Sequence, residues 1–388
     1  MDVLRFLNAP TPEERLRNLQ TLLRAETEKP AVSDTFVNNH IHTIYSFSPY
    51  SPTAAVWFAR AATLPTAGIM DHDSMAGAWE FIRAGEIAGV ATTVGVECRV
   101  HMDGTGLEDR YINNTDQKGL AYFSLHGVPH DRIDAVQRFF APLREARGLR
   151  NRAMTRNISA LLSPHGIGLD YDADVLPLSC AAEGGSVTER HLIFALSRKL
   201  ASACGRDGVI PFLTQTLSLP LTDRQRAQLS DADNPFWEYD LLGVLKSAFV
   251  ARIYVPAAAE CLTLDELSAF AKQTGALLCY AYLGDVGASV TGDKRAGRFE
   301  DGYLEELFAV LRAHNVDAVT YMPSRNTMQQ LLRVRALCER DGFMQISGED
   351  INSPRQSFIC PQLAEPTFRN LVRATWELIE HEKNAPHA

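Results

Sequence analysis

Two histidines one residue apart, His40 and His42, close the short run "TFVNNHIHT". Side chains at i and i+2 of a strand point to one face, so this spacing aims both imidazoles at the same spot. Imidazole nitrogen suits zinc, manganese or iron, and carboxylates commonly complete such sites. Further ligand-type residues stand at the ends of other apolar runs: Asp71, His72 and Asp73 in "MDHDS", Glu97 in "GVECRV", His126 in "YFSLHG", and Glu349 and Asp350 in "SGEDINSP". Any one of them alone reads as an ordinary hydrogen-bonded residue, and an isolated HxH is a weak signal. Their repetition at five run ends, in a chain with only 11 histidines, is the stronger observation.

The elements that must position these residues are legible as an alternation. From residue 35 onward, strand-like runs such as "TAGIMD" and "ATTVGVECRV" are separated by helical text such as "PTAAVWFARAATL", and the same rhythm returns from "TLDELSAFAKQTG" to "FMQISGED". Strand and helix in succession predict a parallel sheet or barrel, whose active site gathers at the C-terminal ends of the strands. Residues 127–265 read instead as mostly helical text with polar breaks, an insertion of the kind that forms a lid or substrate domain. A leading amphipathic helix over 11–28, capped at Thr11, and a linker at Lys29 and Pro30 precede the barrel. The expected architecture is therefore α/β: a barrel over 1–126 and 266–388 interrupted by the insertion over 127–265.

Composition narrows the function classes. With 388 residues, 46% hydrophobic and 22% charged, the chain can bury a large core. A net charge of -9 excludes an extended grip on a nucleic-acid backbone, so an anionic substrate needs local cations. Seven scattered cysteines without a CxxC pair fit reduced thiols in the cytoplasm rather than a thiolate zinc site. No signal-peptide core and no run of 18 apolar residues is found, which predicts no membrane partner.

Taken together, the motifs resemble the PHP family, the polymerase and histidinol phosphatase superfamily of metal-dependent phosphoesterases. Its HxHTxxS motif matches His40, His42, Thr43 and Ser46; its second motif matches Met70, Asp71 and His72; its bridging glutamate matches Glu97; its next histidine matches His126; and its closing motif matches Gly348, Glu349 and Asp350. The resemblance implies a distorted (β/α)7 barrel holding one to two, at most three, divalent ions: zinc, manganese or iron. The first ion would sit on His40, His42, Glu97 and Asp350, and the second on Glu97 and His126 with Tyr282 in the place of a family histidine. The third would keep only His72, because Phe47 and Asn352 stand where the family has ligands.

The implied activity is hydrolysis of a small phosphate ester, such as a nucleotide or sugar phosphate, by a metal-activated water, with His72, Asp71 and Tyr282 as candidate catalytic groups. The insertion resembles that of a subgroup acting on nucleoside monophosphates, with an Arg-rich helix (Arg144, Arg147, Arg150, Arg152) followed by Arg190 and His191. Arg190, His191, Arg325 in "MPSRNT" and Arg355 in "NSPRQS" are the candidate contacts to a phosphorylated metabolite, since guanidinium matches phosphate oxygens in a two-pronged way. The competing expectations are a module that binds such a metabolite without turning it over, and metal-assisted hydrolysis of a non-phosphate bond.

Overall fold

The computed structural model describes residues 2–28, 31–285 and 297–384. The expected linker at Lys29 and Pro30 lies outside them. Helix α1 spans Val3–Leu7 and α2 spans Pro12–Ala25, where Thr11 and Glu14 form a reciprocal capping box. Strand β1 is only His40–Ile41, much shorter than the expected run over 35–43. Asn38 competes with the ladder there, its side chain accepting from the His40 N–H at 2.9 Å.

Next come α3 (Pro52–Ala61), β2 (Thr66–His72), α4 (Ala78–Ala88) and β3 (Ala91–His101). Strands β1, β2 and β3 are parallel neighbours. Strand β4 (Leu120–His126) departs from the expected parallel order, running antiparallel to β3. The cause is the connection: 102–119 forms no helix, and without a crossover the chain can only fold back beside the strand it has just left.

The insertion begins on the barrel. Helix α5 (Ile133–Phe139), the first turn of α6 (Ala141–Leu162) and Phe140 between the two helices contribute Ile133, Val136, Phe140 and Leu143 to the barrel's core. A second apolar core then assembles from the rest of α6, α7 (Glu189–Pro211), α8 (Asp223–Ser230) and α9 (Trp237–Ala248), with Phe47 reaching in from the loop after β1.

The chain returns through β5 (Leu262–Thr263), α10 (Leu264–Thr274), β6 (Leu277–Ala281), α11 (Leu304–Ala313), β7 (Ala318–Tyr321), α12 (Met328–Asp341), β8 (Met344–Ser347) and β9 (Asp350–Ile351). The sheet order is β8-β7-β6-β4-β3-β2-β1-β9, with β5 paired to the end of β3. Because β8 pairs with β7 and β9 with β1, the single segment 344–351 links the two edges of the curled sheet. Among the described residues, no helix is long and apolar enough to cross a membrane.

Helix α13 (Arg369–Asn384) closes the floor, packing Leu378 on Cys279, Ala318 and Ile346. Its buried Glu382 accepts hydrogen bonds from the Val94 N–H at 2.9 Å and from the Thr93 hydroxyl. Glu382→Ala would leave both donors buried and unpaired, a loss of about 1–3 kcal/mol. The expected readout is faster amide exchange throughout α13 with a lower unfolding midpoint. Unchanged exchange would show that Leu378 and its neighbours dock the helix by themselves.

Candidate metal centre and anion cavity

Strand register assembles the centre. Pairing of β1 with β9 sets His40 beside Asp350, and pairing of β2 with β3 sets His72 beside Glu97. His42, one residue past β1, completes the group. Its Nε2 lies 3.2 Å from His40 Nε2, 3.8 Å from Glu97 Oε2 and 3.5 Å from Asp350 Oδ1, while His40 Nε2 and Glu97 Oε2 are 3.7 Å apart. A tetrahedral ion with ligands at about 2.0–2.1 Å has ligand-to-ligand edges of roughly 3.3–3.4 Å. The observed separations bracket that value, and His40, His42 and Glu97 are all buried. These donors fit a divalent ion.

The tautomer of His42 supports the same fit. Ser46 donates its single hydroxyl proton to Asp71 Oδ1 at 2.5 Å, so its oxygen accepts from His42 Nδ1–H at 3.1 Å. That leaves the Nε2 lone pair aimed at the cluster, as a metal ligand requires. Asp350 is steadied likewise: the Asn352 amide donates to its Oδ1 at 2.7 Å. His72 Nδ1 stands 3.1 Å from Glu97 Oε2, yet it is buried without a hydrogen-bond partner. Burial, and then the nearby His42, push its pKa well down, so the ring is neutral.

Other expected site residues have different duties. Asp71 is not exposed to the centre: it accepts from Thr43 N–H (2.7 Å), Thr43 Oγ1 (2.6 Å) and Ser46, and so acts through the loop that carries His42. His126 is not brought into the cluster. Ser124 is the residue opposite Glu97, and on the antiparallel β4 His126 comes two residues later, facing Leu277 toward the floor, roughly 6.6 Å along the strand. Tyr282 lines the centre, but its hydroxyl donates to Asp301, and burial with that carboxylate raises its pKa far above the usual value. A phenolate ligand is therefore strongly opposed.

Of the expected substrate contacts, Arg190 lines a cavity beside His72, whereas His191 does not. The His191 ring is spent on its own helix: its Nδ1 accepts from Thr188 N–H at 3.0 Å, taking the third position of a capping box. Arg355 is paired with Asp240 at 2.6 Å, tying the turn after β9 to α9. Arg325 sits in the turn after β7 and does not itself line either cavity, although its N–H donates to the carbonyl of Met322, a wall of the barrel-side one, at 3.0 Å.

Two cavities, each about 430 Å³ of open space, flank the donors and share Tyr122. The barrel-side cavity holds His40, Glu97 and Asp350 against Tyr282, Tyr321, Met322 and Leu283. The insertion-side cavity is lined by four cations, Arg99, Arg147, Arg190 and Lys246, against two carboxylates, Asp116 and Glu189. Behind it Glu189 accepts from Arg99 at 2.6 Å, Arg147 at 3.2 Å and Arg150. Burial alone would raise the Glu189 pKa, but Arg99, Arg150 and Arg147 hold it well below the carboxylate range.

Sequence reasoning missed Arg99, Glu189, Lys246 and Tyr254. One signal was available: Arg99 follows Glu97 by two on the same strand, so both share a face. Arg152, grouped by sequence with Arg147, instead pairs with Asp172 on the surface.

Burial pushes both His126 and His191 to about 3. The unfolded chain, with histidine near 6.5, then binds more protons than the fold as pH drops below 6.5. Stability is therefore lost on acidification toward pH 3, by up to about 1.4 kcal/mol per pH unit for each histidine. Urea titrations of chelator-treated protein at pH 7, 6 and 5 test this. The fall should lessen in His126→Asn; an equal fall in that variant would refute its share.

Neither a protein-family model nor a curated protein matches the chain. Solved structures do match it in fold. One is a protein of Bifidobacterium adolescentis provisionally named a metal-dependent phosphoesterase: TM-score 0.58, 18% identity, 92% of this chain and 99% of that one covered. Another is an amidohydrolase from Chromobacterium violaceum, solved with sulfate and no metal: TM-score 0.55, 17% identity, 87% and 96% covered. At these identities the likeness concerns the barrel-like α/β fold.

Proposed function

We propose that this chain is a metal-dependent hydrolase of small phosphate esters, built on a PHP-type barrel and working on a nucleotide or sugar phosphate in the cytoplasm. The observation that carries the reading is the convergence of His40, His42 and Glu97 at ligand-to-ligand spacing, with Asp350 Oδ1 3.5 Å from His42, next to His72, which lines a cavity with four cationic side chains. The name of one structural neighbour, a metal-dependent phosphoesterase, and the sulfate bound by the other support it, while the other's name, amidohydrolase, supports hydrolysis alone.

A zinc, manganese or iron ion on those donors supplies Lewis acidity and a water acidified to near neutrality. The chain's own residues do the rest. Arg190 and Lys246 offer charge and donors to phosphoryl oxygens beside Arg99 and Arg147, whose own charges are matched by Glu189, Asp73 and Glu260, so a protein of net charge -9 can accept an anion there. Neutral His72 accepts or ligates through Nδ1 next to Glu97, a role its lowered pKa favours over proton donation. The barrel-side cavity takes the leaving group, and its tyrosine and methionine walls exclude water from the scissile bond.

Elemental analysis of protein purified without chelator, followed by a panel of phosphomonoesters and amides, tests the proposal. About one bound ion per chain and release of orthophosphate are expected. Metal-dependent cleavage of amides alone would replace phosphate chemistry with the amidohydrolase reading. A folded chain that takes up no added ion would leave a binding module.

A further inference from the structure

Phe47 sits five residues past His42, on the loop that follows β1, with φ of 84°. That is the left-handed region, which a bulky side chain rarely adopts and which persists only where the surroundings over-determine it. They do so here from both sides. On the barrel side, Ser46 bonds Asp71 and the ligand His42. On the insertion side, Ser186 N–H donates to Tyr45 O at 2.7 Å and the Thr188 hydroxyl donates to Ser46 O at 3.3 Å.

The consequence is the direction of the ring. Phe47 leaves the barrel and joins the insertion's core, edge-on to His191 at 5.0 Å and to Phe194 at 5.4 Å. The Arg190 guanidinium carbon stands 5.4 Å from the ring centroid, within the range of a cation-to-ring attraction. Arg190 is itself a wall of the cationic cavity.

We propose that Phe47 is a positioning residue for the anion: its ring, carried on the loop that bears His42, holds the Arg190 guanidinium at the cavity wall and sets the affinity for the substrate's phosphoryl group. The inference rests on the cationic cavity being the seat of that anion. It gives the strained backbone a use, because a relaxed φ would swing the ring away from Arg190.

The test is calorimetric titration of the metal-loaded protein with inorganic phosphate, beside steady-state kinetics on the best ester. Phe47→Leu keeps an apolar side chain but removes the ring face, Phe47→Tyr keeps the face, and Arg190→Gln removes the cation. A cation-to-ring contact of ordinary strength predicts phosphate binding roughly 2- to 30-fold weaker in Phe47→Leu. KM for the ester should rise by the same factor, kcat should change less, and bound metal should stay constant. Phe47→Tyr should bind within about twofold of the parent, since its ring offers the same face. Should Phe47→Leu not fold, Phe47→Met, whose flexible side chain refills the space, serves the same comparison. Phosphate binding unchanged in Phe47→Leu but weakened in Arg190→Gln would overturn the positioning role alone. Binding unchanged in Arg190→Gln as well would remove the cavity as the anion's seat, and this inference with it.

Discussion

His42→Ala is expected to yield a folded chain that retains no ion in elemental analysis and releases no orthophosphate. His42 is the hub of the donor group: its Nε2 is the atom within 3.2 to 3.8 Å of His40, Glu97 and Asp350 alike. Removing it takes one of the three donors that lie mutually close and leaves His40, Glu97 and Asp350 without their common neighbour. Loss of a mere partner of a ligand costs about 10–100-fold in metal affinity, so loss of the ligand itself should exceed that. Ser46→Ala supplies the graded comparison, because it removes the acceptor that keeps His42 Nδ1 protonated. It should fall in the 10–100-fold range and retain measurable turnover. Folding should survive His42→Ala, since two imidazole nitrogens 3.2 Å apart add little to the stability of the ion-free chain. Metal-dependent turnover that persisted in His42→Ala would place the chemistry elsewhere.

How far this centre was legible differs residue by residue. His40, His42, Glu97 and Asp350 could be read from the sequence because period-2 spacing and strand ends are local signals, and the parallel register of β1 with β9 does the rest. His126 could not be placed, because its position depends on the direction of β4, and that direction is set by the missing helix across 102–119. The text did lack a helix there, yet the surrounding alternation argued the other way. Tyr282 and Asp71 are of ligand or catalytic type, but their hydrogen bonds to Asp301, Thr43 and Ser46 are tertiary facts that no spacing records. His191 stands at a helix start, a position that suits an anion contact and a capping box equally, and the structure gives it to the capping box. The anion cavity was half visible: Arg147 and Arg190 were singled out, whereas Arg99 and Lys246 come from a strand and a helix far apart in the chain.

Glu189→Ala is expected to destabilise the protein strongly, and phosphate is expected to restore much of what is lost. Arg99, Arg147 and Arg150 are buried together against three carboxylates, Glu189, Asp73 and Glu260. The three positive and three negative charges cancel; without Glu189 one positive charge is left uncompensated. Breaking a buried pair from one side costs about 3–5 kcal/mol, because the remaining charge stays desolvated. The vacancy opens beside the cavity that Arg99, Arg147 and Glu189 jointly line, so a soluble anion can refill it. An anion at 100 times its dissociation constant adds about 2.7 kcal/mol to the stability of the state that binds it. Urea midpoints of parent and variant, each in chloride and in phosphate, separate the two components. Stabilisation by phosphate should be larger in the variant than in the parent. An equal loss in both buffers would mean that Glu189 only fills space, and that the arginines behind the cavity do not sense an anion at all.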